Sequence, residues 1–215
     1  MKLQLLILAV VSVSTWVNGA VSNGGCIVSK AECTSVFSGF PHVETNLRTY
    51  TKQMLDKSFD FLLLSSVFDH YKMDRPGFEK MYRKISDKAW EDTIDLIKYQ
   101  SKRGASVTLD NATRKHDVSK LLKNSELSSL KMALDYEKTL AREAHLIHKQ
   151  ISHADNKEHY DPDVAHYLDE KLIEYQSGVI RQLAGHITDL NDMVKEKSTE
   201  DLAIQMFDEY LEKSK

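Results

Sequence analysis

Asp87, Glu91 and Asp95 follow one another at intervals of four. On a helix that spacing puts three carboxylates on one face, where they can gather hard cations through oxygen. The same spacing also describes an ordinary solvated face, and Lys84, Lys88 and Lys98 lie close enough in sequence to neutralise it. Redox chemistry at a pair of irons inside a helix bundle asks for more. It needs carboxylates from facing helices and Glu-x-x-His, whose i,i+3 spacing places both ligands on one side. No Glu-x-x-His occurs, and the one Asp-x-x-His, Asp163/His166, falls in the opening turn of a helix, where a surface or interface role fits better than a metal. His145, His148 and His153 read as surface residues, Trp90 as packed core or interface, and Asp60 as facing solvent or a neighbouring subunit. No glycine-rich phosphate loop and no Ser-His-acid grouping stands out.

Cys26 and Cys33 sit in a polar, Gly/Ser-rich stretch just behind an apolar leader. Lys2 supplies a positive start, Leu3 to Val13 an apolar run too short to span a bilayer, and Val17 to Ala20 a small-residue cleavage site. The reading is a signal peptide over residues 1–19 and a secreted product, with both cysteines oxidised in that compartment. One local bridge and two bridges to a partner chain fit the spacing equally, and a zinc site lacks its further ligands. Asn111-Ala112-Thr113 is an N-glycosylation sequon. The formal charge of −3, without blocks of like sign, argues against nucleic acid and membrane surfaces as partners.

These residues need elements to position them. Only 8 Gly and 3 Pro in 215 residues favour helices over a turn-rich β-fold. Residues 20–43 read as an arm interrupted by Gly24-Gly25, Gly39 and Pro41, and the helical domain as residues 44–215. A first helix is expected from about Glu44 to Tyr71 on Leu47, Tyr50, Met54, Phe61, Leu64 and Phe68. A second follows Asp74-Arg75-Pro76-Gly77 and runs to Lys102, closed by Gly104. After a long polar connection, a third runs from Ser125 to Ile151. A fourth opens at Asp161-Pro162-Asp163 and extends to Glu196, and a short fifth follows Ser198. Two helical hairpins joined by one long crossover describe an all-α, ferritin-like four-helix bundle with a short C-terminal helix better than a cytokine-like bundle, which needs two long crossovers.

The residues that follow also resemble a known family. Asp74-Arg75-Pro76-Gly77-Phe78 and Leu96 to Gly104 resemble the second helix and turn of ferritins. Ala133-Leu134-Asp135-Tyr136-Glu137-Lys138 and His166-Tyr167-Leu168-Asp169-Glu170 resemble the third and fourth, in collinear order over roughly residues 45–212. With the leader and the two early cysteines, the chain looks most like a light-chain homologue of secreted, insect-type ferritins. The resemblance implies a shell of twenty-four subunits holding iron as a ferric mineral, built with heavy-chain-type partners, with Cys26 or Cys33 as a candidate tether between them.

Residue by residue, it also implies that the oxidation centre is lost. The first-helix glutamate position falls on Met54 and its tyrosine on Phe61; the second-helix glutamate and histidine fall on Ala89 and Asp92. Glu137 survives as a remnant, and the fourth-helix glutamine position falls on Lys171. A lone buried Glu137 needs a counter-charge, expected from Lys171 or else Lys88. No bound di-iron centre and no ferroxidase activity are expected. By the same resemblance, the Asp87, Glu91 and Asp95 face lines the mineral cavity. Asp161 and Asp163 stand near a cation channel, weakened because Val164 takes a family glutamate's place. A secreted cytokine-like helical binding protein is the alternative reading.

Overall fold

The computed structural model describes residues 34–109, 125–153 and 159–214. The leader, Cys26, Cys33 and Asn111 lie outside those residues. From Val36 onward the chain forms one unit, and its described residues contain five helices.

Helix α1 (Phe40–Phe68) begins four residues before the expected Glu44. Pro41 starts the helix rather than breaking it, because the first turn has no amide partner to lose. Phe40 and Val43 carry the apolar stripe back to that turn, both fully buried. Helix α2 (Pro76–Lys102) is closed by Gly104 in the left-handed region, φ 90°. Helix α3 (Glu126–Ser152) starts at Ser125, whose side chain accepts from the Ser128 amide. Helix α4 opens at Pro162–Leu168 under an Asp161 cap, widens into a π-helical stretch at Asp169–Ile173, and continues as Glu174–Met193. Helix α5 spans Glu200–Lys213.

Side-chain pairs give the directions. Gln100 donates to Thr51 Oγ1 and Ser86 to the Ser58 carbonyl, so α2 runs back along α1. Asn46 bonds Gln150 and Lys57 meets Glu137, so α3 also opposes α1. Helices α2 and α3 are therefore parallel, and Arg75–Glu126 (3.1 Å) and Tyr82–Ser129 (2.6 Å) confirm it. The end of α2 and the start of α3 then lie a helix length apart, about 40 Å at 1.5 Å per residue. That is the physical reason for the long connection between them.

The core divides in two. One apolar cluster gathers Phe40 to Met54 of α1, Ala89 and Leu96 of α2, Leu140 to Ile151 of α3 and Val164 to Leu172 of α4. The other gathers Phe61 to Phe68, Phe78 to Ile85, Leu130 and Ala133, Val179 to Leu190, and Phe207 and Leu211 of α5. Along α1, α3 and α4, the residues between the two clusters include the buried polar ones: Lys57, Ser58 and Asp60, then Glu137, then Gln176.

Helix α5 is fastened through α2. The Arg75 side chain does not cap α2; Asp208 reaches from α5 and accepts the Phe78 amide at 3.0 Å. The approach is so close that a Cβ on Gly77 would sit 2.0 Å from the Asp208 carbonyl oxygen. Gly77→Ala should therefore push α5 off its seat, costing about 1–3 kcal/mol, or roughly 3–10 °C in Tm. Gly178→Ala is the control, since a Cβ there meets nothing within 4 Å, and it should hold or raise Tm. Equal Tm values for the two variants would refute the contact's importance.

Candidate functional site

The polar belt occupies the place where the sequence resemblance puts an oxidation centre. Met54, Phe61 and Ala89 are each 1% exposed and offer the interior no oxygen or nitrogen donor. Glu137 is fully buried, and the Lys57 ammonium lies 2.6 Å from its Oε1. Lys57 is itself 2% exposed, so this is an ion pair wholly inside the bundle. Two charges taken out of water are tolerable only together, because either one alone would keep its full desolvation penalty.

Asp92, at the position where the resemblance puts a histidine, is the second carboxylate of the belt. Lys88, one turn earlier on α2, pairs with it and lies 4.9 Å from the Tyr175 ring centroid. Burial pushes the Asp92 carboxyl above its ordinary range, while Lys88 and then the charge of Lys57 draw it down. Gln176 closes the belt from α4: it is 2% exposed and donates to the Tyr50 hydroxyl at 2.9 Å. Burial raises the Tyr50 phenol, and that bond opposes the shift. Two ammonium groups thus stand beside the two carboxylates. Among the described residues no group of three His, Cys, Asp or Glu converges where it could hold a metal ion.

Three expectations are corrected here. Lys171 does not neutralise Glu137; it is exposed and pairs with Glu170 at 2.8 Å. The buried glutamine on α4 is Gln176, five residues beyond Lys171 and past the π-helical stretch. Asp60 does not face solvent: it is 5% exposed, and the Tyr136 hydroxyl approaches it at 3.4 Å. Sequence reasoning missed Lys57, although the signal was present. It occupies the buried stripe Met54, Lys57, Phe61, Leu64 at intervals of three and four, where a lysine is out of place unless paired.

The other sites are elsewhere. Asp87, Glu91 and Asp95 lie exposed along α2, with Arg83 on Asp87 at 3.0 Å and Lys98 on Asp95 at 3.6 Å. Asp161 is buried; its carboxylate caps the Val164 amide and takes Arg103 at 2.6 Å. Asp163 is open to solvent, bonded by Tyr99 and Arg103, which hold its carboxyl below the usual range. Arg103 also donates to the Phe37 carbonyl, so one buried guanidinium ties the ends of three elements together. His145 and His153 are exposed, and Trp90 stands half-exposed against Phe59. No helix among the described residues is long and apolar enough to cross a membrane.

No family model matches the chain. Individual proteins do. It is 39% identical over 190 residues to the ferritin light chain of Trichoplusia ni, covering 85% of this chain and 81% of that one. It is 38% identical over 187 residues to the ferritin light chain of Drosophila melanogaster, covering 84% and 81%. Among solved structures, Trichoplusia ni secreted ferritin superposes with a TM-score of 0.77 at 37% identity, over 85% of this chain and 89% of that chain. These findings support the ferritin reading and lend nothing to the cytokine-like one. With relatives this similar along most of its length, the chain belongs to the ferritin family of iron-storage proteins.

Proposed function

We propose that this chain is a wall-building subunit of a secreted ferritin shell, one that helps hold ferric mineral without oxidising iron itself. A single observation carries the reading: the Lys57 ammonium stands against Glu137 where a bundle centre would place metal, with Met54 and Ala89 beside it offering no ligand. A fixed positive charge there opposes a divalent ion electrostatically, whatever the remaining donors. Oxidation then falls to a heavy-chain-type partner in a shell of twenty-four, tethered through Cys26 or Cys33. The leader, and the likeness to a secreted ferritin, favour export, with Asn111 as a glycan acceptor. Iron reaches this chain as cargo. The exposed Asp87, Glu91 and Asp95 face offers mineral contacts, although Arg83 and Lys98 neutralise part of it. Near the channel, Asp163 keeps a solvent-exposed carboxylate that can meet a passing cation only against its pairing with Arg103, whereas Asp161 is buried against the same guanidinium.

Stopped-flow oxidation of ferrous iron tests the reading, with this chain alone and with shells co-assembled with a heavy-type partner, checked by electron microscopy. The co-assembled particle should oxidise and store iron, while this chain alone should do no better than buffer. Rapid oxidation by this chain alone, at two irons per chain, would falsify it.

A further inference from the structure

Where α5 lies against the later part of α4, the seam between them holds an imidazole. His186 of α4 is 6% exposed, and its ring meets Phe207 at 5.7 Å and Tyr210 at 6.1 Å, edge to face in both cases. Phe207 is buried, and the half-exposed Tyr210 packs against both rings. Among the described residues, nothing hydrogen-bonds the buried His186 Nε2. A neutral imidazole can present that nitrogen as a bare acceptor. An imidazolium cannot, because it carries N–H at both nitrogens together with a full charge.

We propose that His186 is an acid-sensitive latch on α5: once protonated, it no longer fits the α4–α5 seam, and the C-terminal helix loosens from the bundle. The latch does not depend on what the bundle centre binds. Asp189, three residues on along α4, is the charge that favours the protonated ring; burial outweighs it and holds the imidazole below its ordinary value. The other charges nearby are turned elsewhere. From α5, Asp208 accepts the Phe78 amide of α2, and from α3, Glu126 pairs with Arg75. The Phe207 and Tyr210 rings can return part of the cost by cation–π attraction. A histidine held down in the docked state supports docking above about pH 6.5 and withdraws that support as pH falls, because the freed ring takes up the proton first. Asp208 has the opposite sign: burial raises its carboxyl, so acid relieves it. Comparing variants at His186 alone keeps that opposing effect constant.

Hydrogen–deuterium exchange of the assembled protein tests this at about pH 7.5 and about pH 5.5, one unit either side of histidine's ordinary value. After correction for intrinsic exchange rates, peptides from α5 should lose protection several-fold in acid, up to about tenfold for a single proton. Peptides from the middle of α1 should keep theirs. In His186→Leu and His186→Gln, which have nothing to titrate at that position, α5 protection should change by less than about twofold. Leu keeps the seam apolar and Gln keeps it polar, so agreement between them separates lost charge from altered packing. Melting temperatures at both pH values give a second readout if either variant is destabilised: the drop in acid should be smaller in both variants than in the parent. Undiminished α5 protection in the acidified parent, an equal loss in parent and variants, or a loss as large in α1 as in α5 would each overturn the proposal.

Discussion

Iron oxidation should stay absent from a Met54→Glu, Ala89→Glu, Asp92→His variant and should emerge once Lys57→Ala is added to it. The three substitutions return carboxylate and imidazole donors to buried positions of α1 and α2 where the resemblance puts the ligands. They do nothing about the ammonium already lying against Glu137. A unit charge about 4 Å from another is worth about 4 kcal/mol at an effective dielectric of 20, and a divalent ion doubles it. Even a sixth of that repulsion is about 1.4 kcal/mol, tenfold in affinity. The ligand set alone is therefore not the obstacle; the built-in cation is. The quadruple variant should oxidise ferrous iron at least ~10-fold faster than the triple one, and titration should show metal bound by the quadruple variant alone. Changing Lys171 to Ala in place of Lys57 should change nothing, because Lys171 is on the surface. Rapid oxidation by the triple variant with Lys57 intact would show that Lys57 yields to metal.

The second large effect concerns stability. Lys57→Met leaves Glu137 buried without its counter-charge, a change that costs about 3–5 kcal/mol and lowers Tm by roughly 10 °C. Glu137→Leu alone should hurt comparably, by stranding Lys57. The double variant Lys57→Met/Glu137→Leu should recover most of the loss and can exceed the parent, since apolar packing of similar volume often matches or betters a buried ion pair. Thermal melts of the four proteins close a double-mutant cycle, and the coupling should be several kcal/mol. A mild single variant, or two losses that simply add, would mean that the pair contributes nothing as a pair.

Much of the fold was legible in the chain. Apolar positions at three and four, the Asp161-Pro162 start, the start near Ser125 and the Gly104 stop are local effects, and the helices follow them closely. Pro41 misled the reading because proline breaks a helix only inside it, and the buried Phe40 and Val43 extend α1 back across it. The cap on α2 was illegible, because Asp208 lies 130 residues away from Phe78 and only the docking of α5 brings it there.

The site shows the same division. Residue identity alone settled that Met54 and Ala89 carry no donor, since no fold gives a methyl or thioether side chain a carboxylate's chemistry. Which cation faces Glu137 was a different kind of question. Lys57, Lys88 and Lys171 carry the same charge, and the apolar stripe marks Lys57 as inward-facing without saying which carboxylate it meets; that depends on how α1 and α3 pack, while the π-helical stretch alters the register of α4. Tertiary packing turned Lys57 and Gln176 inward and left Lys171 in water, because a buried carboxylate can keep its charge only where a partner is delivered within a few ångströms.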